Sequence, residues 1–224
     1  MSPADDKGET DSHTTFPPTL LAGYHAFKEG HFALEQGRYR QLAETGQKPA
    51  TLVIACCDSR AAPETIFNTG PGDIFVVRVV ANLVPSCKQD GRGHATSAAL
   101  EFAVLGLEVE HVVVLGHSRC GGIKAALDPA FKPLSPDDLI GSWIEPLGPL
   151  AEAIAGESEL TDAERQTALE WLSIRHSLTN LRSFPWVDIA EKEGRLSLHG
   201  AWFDIADGDL WLMNSQTEDF ARAV

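Results

Sequence analysis

The alternation of short apolar runs with helical repeats predicts an α/β fold. Apolar runs rich in β-branched residues predict buried strands at 51–55, 73–80 and 111–116. Apolar residues at helical spacing predict helices over 93–107, 121–127, 135–156 and 161–182. Strands that alternate with helices form a parallel sheet with helices on both faces. We therefore expect a mostly parallel central sheet flanked by helices.

The end of the chain predicts a hairpin. Residues 195–204 and 209–214 have the pattern of a fourth and a fifth strand, and Ala206-Asp207-Gly208 between them suits a tight turn. We expect these two strands to add an antiparallel edge, which makes about five strands in all.

Two further features concern helices. Thr161 and Glu164 have capping-box spacing, and residues 93–107 are apolar nearly all round, which predicts a buried helix.

The start of the chain predicts an N-terminal helical arm over residues 18–46. Glycines within it leave open whether this is one helix or two. Residues 1–17 are polar and acidic and predict a disordered tail, and residues 18–224 predict a single domain. The arm carries an apolar stripe at steps of three and four, formed by Leu20, Tyr24, Phe27, His31 and Leu34.

Composition excludes several classes of protein. The 224 residues include 43% apolar ones, and the formal net charge is −14. An acidic surface without a basic patch repels phosphate backbones, so we expect no nucleic acid partner. No apolar run approaches the ~20 residues of a membrane span, and residues 1–13 lack the parts of a secretory signal. We expect a cytoplasmic protein, in which four cysteines indicate metal or redox chemistry rather than disulfides.

Three potential metal ligands follow two of the buried strands. Cys56 comes directly after the first strand, and His117 and Cys120 follow the third. Ligands of parallel sheets bind beyond the carboxyl ends of strands, so these residues can meet. Two thiolates and one imidazole suit Zn²⁺, and three protein ligands leave a fourth position open for catalysis. Cys120 starts a helix, where a thiolate is favoured, and Gly121 and Gly122 allow a close turn. By spacing alone, buried core residues remain an alternative.

An acidic and a basic residue follow the first ligand. Asp58 lies two residues after Cys56, and Arg60 lies two further on. A guanidinium can hold a carboxylate through two hydrogen bonds, which makes Asp58 a fixed acceptor beside the open position. Asp58 can also swing onto the metal, or the pair can be a plain loop salt bridge. We expect Cys57 to be a small buried side chain that points away from Cys56.

These motifs resemble β-class carbonic anhydrases. The resemblance rests on C-x-D-x-R at 56–60, H-x-x-C at 117–120, and the stretches FVVRVVANLVP, SAALEFAVL and GHSRCGGIK. It runs from about residue 18 to residue 214. It implies reversible, zinc-dependent hydration of carbon dioxide to bicarbonate and a proton by a zinc-bound hydroxide, with one Zn²⁺ per chain. It also implies a dimer or a tetramer in which the arm embraces the partner.

The resemblance assigns roles residue by residue. It implies the metal ligands Cys56, His117 and Cys120, the catalytic pair Asp58 and Arg60, and the substrate-binding residues Gln47, Phe75 and Gly121. One departure is that plant-like members have a tyrosine where this chain has Gly93, next to His94. We expect His94 to be at most a proton relay.

A second departure concerns regulation. Some bacterial members bind bicarbonate at a separate site formed by a tryptophan, an arginine and a tyrosine, which favours an inactive state. Here the corresponding residues are Val53, Arg78 and Phe203. Neither replacement donates a side-chain hydrogen bond. We therefore expect no bicarbonate switch and an open metal position at rest.

Rival functions remain open at this point. A zinc hydrolase of the same scaffold can act on carbon disulfide or carbonyl sulfide, and only pocket access separates the two. A thiol-redox module needs exposed, reactive thiols. An anion site at the Gly121-Gly122 helix start leaves Cys56 unexplained. For a carbonic anhydrase, two thiolates neutralise the charge of Zn²⁺, so we expect activity to rise above neutral pH.

Overall fold

The computed structural model describes residues 16–87 and 95–223, and these form two compact units that meet in sequence at Gly46 and Gln47. The first unit consists of two helices, α1 (Pro18–Glu29) and α2 (His31–Thr45). The arm is therefore two helices rather than one. Its apolar stripe is exposed, and Leu34 is 89% accessible. Of the predicted tail, residues 1–15 lie outside the described residues.

The second unit is built on one sheet of six strands in the order β2-β1-β3-β4-β5-β6. The first four strands run parallel, and the last two run antiparallel to their neighbours. The predicted α/β class and mostly parallel sheet are confirmed. The strands are β1 (Thr51–Cys56), β2 (Ile74–Val79), β3 (His111–His117), β4 (Ser197–Phe203), β5 (Leu210–Met213) and β6 (Phe220–Arg222).

The edge of the sheet differs from the prediction. β4 pairs in parallel with β3, because a long helical crossover returns the chain to the same end of the sheet before β4 begins. Only the tight connection after β4 reverses the chain, so β5 is the first antiparallel strand. β6 has three residues, too few to show an alternating pattern, and was not predicted.

Helices cover the sheet. They are α3 (Pro63–Ile66), α4 (Ala95–Glu101), α5 (Gly121–Leu127), α6 (Leu139–Ile144), α7 (Gly148–Ala155), α8 (Asp162–Arg182) and α9 (Pro185–Lys192). The predicted buried helix over 93–107 is helical in its described part but buried on one face only. The described part is α4 followed by a π-helical turn, Phe102–Gly106. Phe102 and Leu105 are each 54% exposed. Among the described residues, no helix combines the length and apolarity that a membrane span requires.

Helix α8 packs closely on the centre of the sheet. Its predicted apolar face is buried through Ile174, Leu178 and Leu181. Close approach requires glycine in the strands beneath. A Cβ built on Gly116 of β3 would lie 2.8 Å from Cδ1 of Ile174, and one on Gly200 of β4 would lie 2.9 Å from its Cγ2. The middle of α8 therefore packs directly on β3 and β4.

The capping box of α8 gives a test of the fold. Oγ1 of Thr161 accepts a hydrogen bond from the Glu164 amide at 3.3 Å, and Glu164 accepts one from the Thr161 amide at 2.8 Å. We expect Thr161→Ala to lower the free energy of unfolding by about 1 kcal/mol, because the helix start loses a cap. Urea unfolding measures the loss. The control is Thr179→Ala within the same helix, expected to change stability by less than about 0.5 kcal/mol. Equal losses would contradict the capping role.

Candidate metal centre

Three buried side chains converge at the carboxyl end of the sheet. Cys56 is the last residue of β1, His117 is the last residue of β3, and Cys120 immediately precedes α5. Their ligand atoms all lie within 4.8 Å of one another. The side chains are 6%, 1% and 1% exposed, respectively. The sequence prediction that these three residues meet is confirmed, and together they can hold a metal ion.

The donor atoms fit a cation. The sulfurs of Cys56 and Cys120 are 3.9 Å apart, well beyond the ~2.05 Å of a disulfide bond. Nδ1 of His117 lies 2.9 Å from the carbonyl oxygen of Ser118. Since a carbonyl only accepts, Nδ1 carries a proton, and Nε2 is the nitrogen that a metal ion could use. Nε2 is buried and has no hydrogen-bond partner within the described part of the chain. A metal ion would satisfy it.

Hydrogen bonds from backbone amides, and the contact between the two thiols, favour the thiolate form of cysteine at this site. The Cys56 sulfur accepts hydrogen bonds from the amides of Asp58 and Ala81, and the Cys120 sulfur accepts them from Gly122 and Ile123. Hydrogen bonding by the Cys120 thiol lowers the pKa of Cys56 to about 4. The same contact raises the pKa of Cys120, which keeps the shared proton. A cation that replaces this proton would stabilise both thiolates.

Two non-glycine residues in the left-handed region shape the centre. Arg119 has a φ of 56° and lies between His117 and Cys120, so that both side chains face the same point. Ala81 has a φ of 57° in the segment whose amide bonds to the Cys56 sulfur. Such residues are uncommon and cost of order 1–3 kcal/mol each. Sequence patterns contain no signal for either.

The glycines after Cys120 have different roles from those predicted. Neither has a positive φ, and the turn is made by Arg119 instead. A Cβ on Gly122 would lie 2.8 Å from Cγ1 of Val80 and 3.1 Å from Cβ of Ala81, whereas a Cβ on Gly121 would meet nothing within 4 Å. Gly122 therefore permits the close approach of α5 to the segment after β2.

A buried glutamate, missed in the sequence, holds the second cysteine. Glu170 of α8 is 1% exposed. It accepts hydrogen bonds from the Cys120 amide at 3.0 Å, from Nε2 of Gln166 at 3.1 Å and from Nε1 of Trp202 at 3.1 Å. The signal that could have revealed Glu170 is its charge at an apolar position, since it lies four residues before Ile174 on the apolar face of α8.

Asp58 and Arg60 form a two-point contact. Nε of Arg60 donates to Oδ1 of Asp58 at 2.9 Å, and Nη2 donates to Oδ2 at 2.7 Å. Nη2 also lies 3.4 Å from the carbonyl oxygen of Arg119, which belongs to the loop of the other two ligands. The hydrogen bonds from Arg60 hold the pKa of Asp58 well below its usual range. Asp58 is therefore an ionised acceptor with a fixed orientation.

Gln47 and Phe75 lie away from the metal ligands of their own chain. Phe75 pairs with Leu52 near the start of β1, whereas Cys56 pairs with Val79 at its end. With a rise of ~3.3 Å per residue, the two levels are roughly 13 Å apart. Gln47 is exposed and precedes β1 by four residues. The strand register thus separates both residues from this centre.

The predictions for Cys57 and for Gly93 and His94 have different outcomes. Cys57 is exposed rather than buried, and it does not belong to the ligand group. Cys57 follows the last residue of β1, and it is exposed to solvent, whereas Cys56 is buried. Gly93 and His94 lie outside the described residues.

Comparisons with known proteins give the family. The carbonic anhydrase family model matches residues 51–210. The chloroplastic beta carbonic anhydrase 5 of Arabidopsis thaliana is 38% identical over 183 residues, which are 81% of this chain and 60% of that protein. The mitochondrial beta carbonic anhydrase 6 of the same plant is 32% identical over 216 residues, which are 95% of this chain and 73% of that protein.

Solved structures agree with this match. The beta-carbonic anhydrase CcaA has a TM-score of 0.84 and 28% identity, over 92% of each chain. A tetrameric beta-carbonic anhydrase from Sordaria macrospora has a TM-score of 0.69 and 30% identity, over 92% of this chain and 95% of that one. The chain belongs to the β-class carbonic anhydrase family.

Substitution of the two glycines tests the packing at the centre. We expect Gly122→Ala to destabilise the protein by about 1–3 kcal/mol and to weaken metal retention, because α5 must move and carry Cys120 with it. The matched control is Gly121→Ala, which has space for the added methyl group and should match the wild type in unfolding midpoint and metal content. Thermal unfolding and metal content after gel filtration are the measurements. Equal behaviour of the two variants would contradict the assignment.

Proposed function

We propose that this protein binds one Zn²⁺ through Cys56, His117 and Cys120 and catalyses the reversible hydration of carbon dioxide to bicarbonate and a proton. The observation that carries this proposal is a buried Cys/His/Cys group with a fixed carboxylate beside it. Two sulfurs bound to a tetrahedral Zn²⁺ at ~2.3 Å lie about 3.8 Å apart. The sulfurs of this centre are 3.9 Å apart before any adjustment.

The residues around the metal have separate tasks. When bound, Zn²⁺ supplies the Lewis acidity that makes water a nucleophile near neutral pH. Asp58 accepts a hydrogen bond from the attacking water and orients its lone pair toward carbon dioxide. Arg60 engages both oxygens of Asp58 and so keeps this carboxylate away from the fourth ligand position. The proton that water loses passes to buffer.

We also propose that the metal site rests open and lacks a bicarbonate switch. Val53 is buried within β1 and offers no donor. The guanidinium of Arg78 is engaged by backbone carbonyls. Phe203 has no hydroxyl group to replace the tyrosine of the regulated members. These three positions therefore do not supply the donors that a second bicarbonate would require.

The rival redox function is disfavoured by burial. A redox sensor needs accessible thiols of low pKa. Cys56 and Cys120 are both buried, and desolvation and the neighbouring Cys56 raise the pKa of the exposed Cys57. An activity on carbon disulfide or carbonyl sulfide shares the same centre. Parallel assays with these substrates separate it from carbon dioxide hydration.

Stopped-flow hydration of carbon dioxide tests the catalytic proposal, on protein of measured zinc content. We expect Asp58→Ala to lower kcat at least ~100-fold and to keep about one Zn²⁺ per chain, because the acceptor is lost while the ligands remain. The control is Asp209→Ala, which removes a carboxylate paired with Arg222 of β6 at 2.7 Å and not among the three potential metal ligands. Full activity of the Asp58 variant would refute the role of this residue.

The pH dependence of the hydration rate distinguishes ionisation of Asp58 from ionisation of the attacking water. Arg60 depresses the pKa of Asp58, so this carboxylate is charged throughout pH 6–9 and cannot cause a rise in rate there. Two thiolates weaken the Lewis acidity of Zn²⁺, so the water should lose its proton above neutral pH. We expect a higher rate at pH 8.5 than at pH 7 in the wild type. A flat profile from pH 6 to pH 9 would contradict this explanation.

We further propose that the protein self-associates and that a second copy supplies Gln47 and Phe75 to each centre. Both residues lie too far from the ligands of their own chain to contact substrate there. The exposed apolar stripe of the arm offers a surface for a partner. The Sordaria macrospora relative is tetrameric.

Hybrid oligomers test this sharing of the site. Asp58→Ala and Gln47→Ala chains with different tags are co-expressed, and hybrids are isolated by two affinity steps. If Gln47 acts in the partner's site, each two-fold hybrid has one intact site and recovers about half of the wild-type rate. Hybrids of Asp58→Ala with Arg60→Ala are the control and should stay inactive, since both residues act on the centre of their own chain. No recovery in the first hybrid would refute the proposal.

A further inference from the structure

Arg78 is the charged residue of β2, whose sequence is otherwise apolar. Its side chain crosses to the loop that follows β1. Nε donates to the carbonyl oxygen of Cys56 at 2.9 Å, and Nη2 donates to the carbonyl oxygen of Asp58 at 2.6 Å. One rigid fork therefore holds the backbone of a metal ligand and the backbone of the proposed acceptor.

Besides Arg78, the amide of Asp58 ties these two residues together through its hydrogen bond to the Cys56 sulfur. The Asp58 carbonyl also accepts from the Ala61 amide at 3.1 Å, and Oδ1 of Asp58 accepts from the Arg60 amide at 3.0 Å. Both contacts close the turn from Asp58 onward. The Cys57 amide ties the start of the loop to Val79 at 3.2 Å. Arg78 is the side chain that joins the ligand to the turn.

The chemistry of arginine suits this task. A guanidinium is planar and permanently charged, and its donors have a fixed separation, so two carbonyls bound to it cannot move independently. Hydrogen bonds from a charged donor are also stronger than neutral ones. A lysine at this position would present one point charge and would not fix the spacing of two acceptors.

We propose that Arg78 is a positioning residue, which fixes the Cys56 ligand relative to Asp58 by holding their two carbonyl groups. This inference rests on the proposed metal site, but not on its reaction with carbon dioxide. Because the Arg78 guanidinium binds both carbonyl groups, its removal allows the backbone of Cys56 and that of Asp58 to move relative to each other. Metal should then leave faster, and the coordination around it should change.

A second arginine that binds backbone, Arg175, provides a control. It distinguishes positioning of the metal ligand from a general effect on stability. Arg175 of α8 also donates to backbone, through Nε at 3.1 Å and Nη2 at 2.5 Å to the Glu218 carbonyl. That carbonyl belongs to the connection before β6, at the opposite edge of the sheet from β2. Arg175→Met therefore removes a similar clamp without touching the centre.

The experiment compares Arg78→Met, Arg78→Lys and Arg175→Met as zinc-loaded proteins. The first measurement is the rate of Zn²⁺ transfer to a chromophoric chelator, taken at least 20 °C below each unfolding midpoint. The second is the visible spectrum of the Co²⁺-substituted protein with and without azide. We expect Arg78→Met to release Zn²⁺ at least tenfold faster than the wild type and to show an altered Co²⁺ spectrum. Arg78→Lys should be intermediate, and Arg175→Met should stay within twofold of the wild type.

Two results would overturn the proposal. One is wild-type metal release and an unchanged Co²⁺ spectrum in Arg78→Met. The other is an equal change in Arg78→Met and Arg175→Met, which would reduce Arg78 to a general stabiliser. If Arg78→Met does not fold, Arg78→Lys provides the same comparison. A zinc-loaded wild type that fails to hydrate carbon dioxide would refute the proposed function and leave these measurements interpretable.

Discussion

The structure depends on the burial of two cysteine sulfurs and one imidazole nitrogen at the same point. Burial of negative sulfur without a counter-charge is costly, and a nitrogen lone pair without a partner adds to the cost. Backbone amides and a shared proton offset part of this cost at Cys56 and Cys120. Nε2 of His117 has no such compensation within the described chain. A bound cation would remove all three costs together.

The segments that carry the ligands are held in place by residues from other helices and strands. Cys56 at the end of β1 and Cys120 before α5 are far apart in sequence, and the backbone of each is bonded to a charged residue from another element. Arg78 of β2 holds the first segment, and Glu170 of α8 holds the second. Arg60 spans the two segments through Asp58 and the Arg119 carbonyl. The geometry of the three potential ligands is therefore a property of the sheet and α8 together, rather than of the motifs alone.

Local patterns predicted much of this arrangement. β1, β3 and α5 were recognised because apolar runs and helical spacing are properties of neighbouring residues. The capping box at Thr161 was recognised for the same reason. The convergence of the three ligands followed from one general rule, that parallel strands place their carboxyl ends at the same edge. Resemblance to β-class carbonic anhydrases then supplied roles for Asp58 and Arg60, which spacing alone left open.

The sequence by itself determined the fold class, the convergence of Cys56, His117 and Cys120, and the order of β1 to β5, because each follows from residue types at short range. Tertiary structure alone decided the direction of β4, the use of Arg119 rather than Gly121 in the turn, and the contacts of Arg78 and Glu170. It also decided that Gln47 and Phe75 lie at the other end of β1 from Cys56. The physical reason is that strand register, crossover direction and close packing arise between residues far apart in the chain, where no sequence period records them.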